Sequence, residues 1–409
     1  MAATATIPNG IESSTHDVTF TPSSRGALVM GADYRALGVV RSLGRRGIPV
    51  WLINQGGHLV ASASRYVRRR LPWPVCDDQE KINYLLRLCA SHDLKGWILI
   101  PTDDHSVGLL SNHHQALSSS YRVTVPPWET LRWACDKRLL YQLAERVQVH
   151  QPWTFCPSTR EELATIDFPF PVILKPALRL RPSNLTVPKA WPAHDRKSLL
   201  KRYDEASALF SQENLIIQEM VPGGGDAQFS YAALCKDGHS LASVVARRTR
   251  QFPRDFGHFS TYVETIDAPE IVEPAERLLA ATRFTGLAEV EFKRDPRNGQ
   301  LGVLDINPRV WGWHTLSSRA GVDFPYLLLK DQTGQPLDPC EARAGVRWVR
   351  TVTDLPAALA GVVHGQLSWR SYLGSLRGLH TEAVFSRDDP LPGLVEVALL
   401  PYLALKRGF

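Results

Sequence analysis

Residues 285–313, TGLAEVEFKRDPRNGQLGVLDINPRVWGW, decide how the chain is read. Acidic and apolar residues alternate in Glu289-Val290-Glu291-Phe292, so on a strand the two carboxylates share one face while Val290 and Phe292 take the core face. Residues 295–299 carry turn chemistry, and residues 301–306 return as a mostly apolar strand. As an antiparallel partner, that strand brings Asp305, Asn307 and Arg309 back beside Glu291. Alternating charge is also what an ordinary solvent-facing hairpin displays. Two details weigh against that blander account. Asp305 and Asn307 close an apolar strand instead of continuing an alternation, and Pro308 fixes the chain where Arg309 must point. Two carboxylates and an amide oxygen around one point suit a hard divalent cation such as magnesium, and an adjacent guanidinium suits phosphate oxygens.

Glu291 followed by Asp305-Ile306-Asn307-Pro308-Arg309 resembles the metal-binding signature of the ATP-grasp superfamily, a Glu, a spacer and then Glu-x-Asn-x-Arg. Aspartate stands here where glutamate is commoner, a shorter arm that still supplies a carboxylate. The resemblance covers residues 25–335 and implies sites in a fixed order along the chain. Two phosphate-contacting lysines match Lys137, on a helix after the first domain, and Lys175, closing the strand Pro171-Val172-Ile173-Leu174-Lys175-Pro176. Independently of family, a lone ammonium ending an apolar strand is costly to bury, and a phosphate partner offsets that cost. The strand at residues 214–220 leads into Val221-Pro222-Gly223-Gly224-Gly225-Asp226. There the resemblance implies that the backbone of Glu219 and Val221 meets the adenine edge and that Asp226 accepts from the ribose; by itself the segment is also a plain glycine-rich turn.

The resemblance is to the carboxylate-amine ligases of the superfamily. It implies ATP and Mg2+ as cofactors, with Glu291, Asp305 and Asn307 holding the metal, and small-molecule carboxylate and amine substrates. The carboxylate would be activated as an acyl phosphate, an amine would displace phosphate, and Arg309 would stabilise the developing charge, with ADP and phosphate released. Two departures matter. Residues 177–192 hold none of the glycines of many ATP-grasp phosphate loops and offer Arg179, Arg181 and Lys189 as a cationic lid. Trp313-His314 stands where biotin carboxylase carries an acidic residue, which disfavours bicarbonate chemistry.

Composition sets the outer bounds. With 409 residues, 44% hydrophobic and 22% charged, the chain can build two or three domains with real cores. No run approaches the ~18 apolar residues of a membrane span, so no stable membrane insertion is expected and the chain is read as cytoplasmic. Its net charge is +6, but the basic residues are dispersed and the longest cluster is Arg68-Arg69-Arg70; anionic small substrates account for the balance, and no nucleic acid is expected. Six cysteines without a Cys-x-x-Cys pair read as buried thiols. The eleven tryptophans read mostly as core, with Trp311 and Trp313 flanking the proposed site.

Along the chain, residues 1–24 read as a flexible tail, and strand, helix and strand follow at residues 27–30, 35–46 and 49–53. Gly31, Gly38 and Gly44 do not form the G-x-G-x-x-G fingerprint and read as turn and packing glycines. Asp103, Asp104 and Arg35 lie where a parallel sheet offers its carboxyl edge to substrates, although Asp104 is the expected cap of the next helix. Ser64-Arg65-Tyr66 is open to the same two readings. The basic run Arg247-Arg248-Thr249-Arg250, followed by Phe256-Gly257-His258-Phe259-Ser260, is a candidate to hold the acceptor carboxylate. The expected fold class is α/β and α+β, a Rossmann-like N-terminal domain at residues 25–130 followed by a two-lobed ATP-grasp module at 131–335 and a C-terminal extension at 336–409. A homodimer is allowed. The rival readings are a nucleotide-binding ATP-grasp relative with a regulatory or interaction role, and a basic interaction protein.

Overall fold

The computed structural model describes residues 26–54, 56, 59–178, 188–252 and 259–400. The expected tail at 1–24, Arg179 and Arg181 of the expected lid, and residues 256–258 lie outside the described residues.

The first sheet is parallel throughout. Its elements are β1 (Ala27–Met30), α1 (Tyr34–Gly44), β2 (Val50–Asn54), β3 (Val67–Pro72), α2 (Asp78–His92), β4 (Ile98–Pro101), α3 (Asp104–Asn112), α4 (His114–Ser118) and β5 (Arg122–Val123), with strand order β3-β2-β1-β4-β5. All four residues of β1 and of β4 are buried, as the central strands of a sheet covered on both faces must be. The order reverses between β1 and β4, so the crevice beyond their carboxyl ends opens at Asp33 and at Asp103-Asp104. Arg68-Arg69-Arg70 lies exposed on the edge strand β3, where charge discourages pairing with a further strand.

The second sheet is small and antiparallel. After α5 (Trp128–Cys135) and α6 (Lys137–Arg146) come β6 (Thr154–Phe155), α7 (Glu162–Thr165), β7 (Val172–Pro176), β8 (Trp191–Ala193), α8 (Arg196–Ser207) and β9 (Leu215–Glu219), in strand order β6-β9-β7-β8. Its core is its own, made by Phe168, Val172, Leu174, Trp191, Leu199, Tyr203 and Ile217.

The third sheet takes up the remainder: β10 (Gln228–Lys236), β11 (His239–Phe252), β12 (Phe259–Thr265), α9 (Pro269–Ala281), β13 (Gly286–Arg294), β14 (Leu301–Asn307), α10 (His314–Ala320), α11 (Phe324–Gln332), β15 (Arg347–Val349), α12 (Thr351–Val363), α13 (Trp369–Leu376), β16 (Thr381–Glu382) and α14 (Leu391–Ala398). The strand order is β14-β13-β10-β11-β12-β15-β16, so two strands from beyond residue 336 complete its far edge. The first and third sheets share two continuous cores, one running from Leu28 and Leu99 to Val290 and Phe292, the other from Val29 and Ile100 to Trp311, Trp313 and Trp348. Gly286 starts β13 at a φ of +114°, and a Cβ there would lie 2.5 Å from the Thr124 carbonyl oxygen, so only glycine lets β13 begin against the first domain. This is the expected fold class, a Rossmann-like sheet followed by two α+β lobes.

A polar staple reinforces the apolar contact. Arg41 on α1 is buried and donates from Nε to Asp389 Oδ2 (2.9 Å), from Nη1 to the Val384 carbonyl (2.6 Å) and from Nη2 to the Asp389 carbonyl (2.7 Å). Ser64 Oγ and the Arg65 amide donate to the same carboxylate, and Tyr66 Oη donates to Asp388. Ser64-Arg65-Tyr66 therefore binds the C-terminal segment. The six cysteines are all free, but Cys76 and Cys156 are exposed, so the expectation of buried thiols fails at these two; both sit in connections outside the sheets.

Candidate active site

The hairpin forms in the expected register: Glu289 faces Asn307 and Glu291 faces Asp305 across β13 and β14. Asn307 Nδ2 donates to Glu289 Oε2 (3.1 Å) and Glu291 Oε1 (3.0 Å), locking the amide between the two acids. Glu289 is 3% exposed and accepts from Trp313 Nε1 at 2.7 Å. Its burial, with Glu291 close by, pushes its carboxyl up to about 7. Trp311 and Trp313 are likewise buried, so they floor the site and do not flank its mouth.

Cations surround the acids. Lys137 Nζ reaches Asp305 Oδ1 at 2.7 Å, held there by the first turn of α6, which Asp136 caps. Arg248 on β11 bridges Gln228 Oε1 and Glu291 Oε1, both at 2.8 Å. Lys175 ends β7 and donates to Gln218 Oε1 (2.7 Å) and Tyr141 Oη (3.2 Å). Burial and, next, the like charge of Lys137 push its ammonium down to about 7. Gln218 faces Ile173 in the β7–β9 register and so shares the face of Lys175. The basic run of β11 divides: Arg248 faces the acids, Arg247 pairs with Glu264, and Arg250 binds Asp354 of α12.

Arg309 Nη2 donates to Asn307 Oδ1 (3.2 Å), and its Nε donates to Asp104 Oδ1. Its ion-pair partner thus comes from the first domain. Asp104 does not cap α3: Asp103 is the cap and accepts from the Ser106 amide at 2.9 Å, leaving Asp104 one position inside the helix with its side chain turned to Arg309. Arg35 lies in the same crevice, held by Asp33 at 2.8 Å. His314, buried and pushed down to about 4 chiefly by desolvation, is hydrogen-bonded through Nε2 to the Arg35 carbonyl at 3.0 Å. The position that departs from biotin carboxylase therefore joins α10 to α1.

The hinge residues follow Gln218 along the chain and are held from β13. The Val221 amide donates to the Glu219 carbonyl at 3.2 Å and Lys293 Nζ donates to the Val221 carbonyl at 2.7 Å, so the polar edge expected to meet adenine is closed on itself. Glu219 pairs through its side chain with Arg297. Asp226 is exposed in the short turn at residues 225–227. Lys189 is exposed at the end of the segment outside the described residues.

No group of three or more His, Cys, Asp or Glu side chains is set to hold a metal ion among the described residues. The set here is two carboxylates and one amide, which suits magnesium because that ion keeps several of its positions for waters and phosphate oxygens; Asn307 now turns Nδ2 to the acids and Oδ1 to Arg309, so it would offer its oxygen to the ion only after the amide rotates. The residues fit the ion. Lys137 and Arg248 balance the same two carboxylates in the structure as it stands. Sequence reasoning missed Tyr141, Gln218 and the particular pairing of Arg248 with Glu291. Tyr141 was findable, four residues after Lys137 on one helical face; the other two needed the register of separate strands.

A family model described as ATP-grasp in the biosynthetic pathway with Ter operon matches residues 211–354, which contain β9 to β15 and the acid hairpin. The chain superposes on the L-amino acid ligase from Bacillus licheniformis with a TM-score of 0.60 at 15% identity, covering 77% of this chain and 75% of that one. The ATP-grasp match is thus to residues 211–354, and the likeness to that ligase is one of fold. A second likeness is to the ADP complex of purK, N5-carboxyaminoimidazole ribonucleotide synthetase, with a TM-score of 0.62 at 11% identity over 84% of this chain and 85% of that one. In sequence the chain is 24% identical over 247 residues to the D-aspartate ligase of Enterococcus faecium (strain Aus0004), matching 56% of this chain and 57% of that protein. It thus spans little more than half the length of that relative. An open concavity on α8 is lined by Arg160, Arg196 and Lys201 and includes none of the residues of the acid cluster.

Proposed function

We propose that this chain is an ATP- and magnesium-dependent ligase that joins a carboxylate to an amine through an acyl phosphate, releasing ADP and phosphate. The observation that carries the reading is the register of Glu291 against Asp305 beside Asn307, with Lys137, Arg248 and Arg309 bonded to that same set. The likeness to a D-aspartate ligase and to an L-amino acid ligase supports amino acids as the first substrates to try.

Glu291, Asp305 and Asn307 would hold magnesium, which when bound neutralises phosphate charge. Lys137 and Lys175 bind the triphosphate; Lys175, near neutrality in the free protein, becomes fully charged beside an anion. The backbone of Glu219 and Val221 takes the adenine edge after the Val221–Glu219 contact opens, and Asp226 takes the ribose. A substrate carboxylate oxygen attacks the γ-phosphorus and ADP leaves. The amine then adds to the acyl carbon, and phosphate departs with the carbon–oxygen bond. Arg309, with its planar fork already oriented by Asp104 and Asn307, stabilises the oxyanion of that step.

The test incubates the protein with Mg-ATP and a panel of amino acids, each alone with hydroxylamine and then in pairs. An acyl phosphate is trapped by hydroxylamine as a hydroxamate, and a productive pair releases ADP and phosphate together. A protein that Mg-ATP stabilises against heat, yet that forms neither hydroxamate nor ADP with any carboxylate offered, would overturn the ligase reading in favour of a regulatory nucleotide-binding role.

A further inference from the structure

The C-terminal helices present an apolar face that the reaction does not use. On α12 Leu355, Leu359 and Val363 are exposed at 48%, 50% and 74%, spaced by four residues and so aligned in one stripe. On α13 Trp369 and Leu373 repeat the spacing, at 44% and 58% exposure. These are not loose ends. Arg250 reaches across both helices, donating from Nε and Nη2 to Asp354 (2.9 and 2.7 Å) and from Nη1 to Ser375 Oγ (2.9 Å), with its guanidinium 4.2 Å from the Tyr262 ring centre and 5.2 Å from that of Tyr372. The opposite faces, carrying Asp354, Ala358 and Tyr372, are buried against the sheet. The apolar stripes are therefore held outward by a rigid polar anchor.

Charge identifies what they meet. Every carboxylate between residues 351 and 400 is engaged within the fold: Asp354 by Arg250, Glu382 by the Thr351, Val384 and Phe385 amides, Asp388 by Arg45, Asp389 by Arg41 and Glu396 by Arg350. Arg370 in the first turn of α13 and Arg377 at its C-cap are exposed. The surface is thus aliphatic, carries one amphipathic tryptophan and is bordered by cations without a free anion. Residues 355–363, LPAALAGVV, offer no hydrogen-bonding side chain, so whatever α12's stripe meets is itself apolar at the contact. A second copy of the chain would bring the same arginines together with no carboxylate between them. No helix among the described residues is long and apolar enough to cross a membrane. Apolar residues backed by a basic border are instead the chemistry of a helix lying in the plane of a lipid interface.

We propose that the face formed by Leu355, Leu359 and Val363 of α12 and Trp369 and Leu373 of α13 docks reversibly on an anionic lipid surface, with Arg370 and Arg377 meeting the headgroups. The inference stands apart from the ligase reading, and its test does not read activity. The full chain is sedimented with vesicles of phosphatidylcholine alone and with vesicles in which roughly a third of the lipid is phosphatidylglycerol. Binding is expected to the anionic vesicles and to fall with added salt. The pair Leu359→Asp and Val363→Asp should cut binding by at least about tenfold, since it removes apolar burial and adds repulsion. Arg370→Gln and Arg377→Gln should each cut it by roughly fivefold. Melting temperature serves as the folding control, and the glutamine variants, which leave the stripe intact, keep the test decisive if the aspartates disturb the fold. Failure of the wild-type chain to bind anionic vesicles, or equal binding to neutral ones, overturns the proposal. So does a dimer in sedimentation velocity that the aspartate pair dissolves, which would assign the face to a second copy.

Discussion

Two clusters of buried charge, the staple of Arg41 and Asp389 and the surroundings of Lys175, are built on different rules. In the staple, Arg41 spends Nε, Nη1 and Nη2 on three oxygens, and Asp389 receives Arg41, Ser64 Oγ and the Arg65 amide, so both ions are saturated. At the candidate site Lys175 has two neutral acceptors, Gln218 and Tyr141, and a second ammonium, Lys137, near enough to lower its affinity for a proton. A saturated pair holds a fold together. A cation whose hydrogen bonds go to neutral acceptors, with Asp305 and Glu291 acting only from a distance, has donors to turn to an anion that arrives later.

The strongest break of the comparison is Arg41→Met. It leaves Asp389 buried without its cation and should cost about 3–5 kcal/mol of stability, while Mg-ATP affinity in the folded fraction stays unchanged. Denaturant unfolding together with calorimetric titration reads both, and a stable variant would mean that the staple is ornamental. The converse is Asp305→Asn or Glu291→Gln, each of which removes a charge and almost no volume. Turnover should fall roughly a thousandfold, about 4 kcal/mol in the transition state, with a smaller loss of melting temperature than Arg41→Met, because Arg248 keeps the charge of Glu289 and the amide Gln228. Variants that unfold instead would make these carboxylates structural, like Asp389.

Arg309→Lys sharpens the difference. Lysine keeps the charge but loses the fork that spans Asp104 and Asn307, so kcat should drop about a hundredfold with ATP affinity nearly intact. An unaltered kcat with a lowered Tm would move Arg309 into the structural class, as an ion pair joining first domain to hairpin. The smallest effect is on pH. Desolvation, then Lys137, sets the Lys175 ammonium near 7, below the ordinary lysine value of about 10.4, so above pH 7 the free protein has largely lost this proton and an incoming phosphate must restore it. Mg-ATP affinity should weaken by up to about tenfold per pH unit above 7, with proton uptake on binding, and Lys175→Met should flatten the profile. The same shift makes the unfolded chain the tighter proton binder between about 7 and 10.4, so its stability penalty is full below 7 and fades as pH rises through that window. Identical affinity at pH 7 and pH 9 in the wild-type chain would refute the assignment of Lys175 to phosphate.

The hairpin was legible because two short-range signals agreed: period-two alternation placed Glu289 and Glu291 on one face, and the turn at 295–299 set the return of Asp305. The strands of the first sheet were legible for the same reason, as short apolar runs between turn residues. Asp103 and Asp104 could not be told apart as caps, since either type in either place is good capping chemistry and only the fold supplies Arg309 as the competing partner. Nor could the destinations of Arg247, Arg248 and Arg250, because irregular register between β11 and β12 in that stretch breaks the alternation that a sequence reader must assume. The strands of the C-terminal region span three and two residues, too few for any period to show, and their sheet neighbours are remote in sequence. Both ions of the staple look like surface charges when read singly.

The staple also bears on how the protein is made. Arg41 and Asp389 are 348 positions apart, so a ribosome that has finished the first sheet still has most of the message to translate before the matching carboxylate exists. From the end of β5 at Val123 to Asp389, at ~5–20 residues per second, that interval is roughly 15–50 s, long compared with the folding of a parallel sheet of this size. Through it the nascent domain carries a guanidinium on α1 without its final partner and an apolar flank awaiting Trp311, Trp313 and Trp348. The staple between α1 and the segment at Val384 and Asp389 can therefore close only after the first sheet has long been made, so the first domain must hold together without it during synthesis.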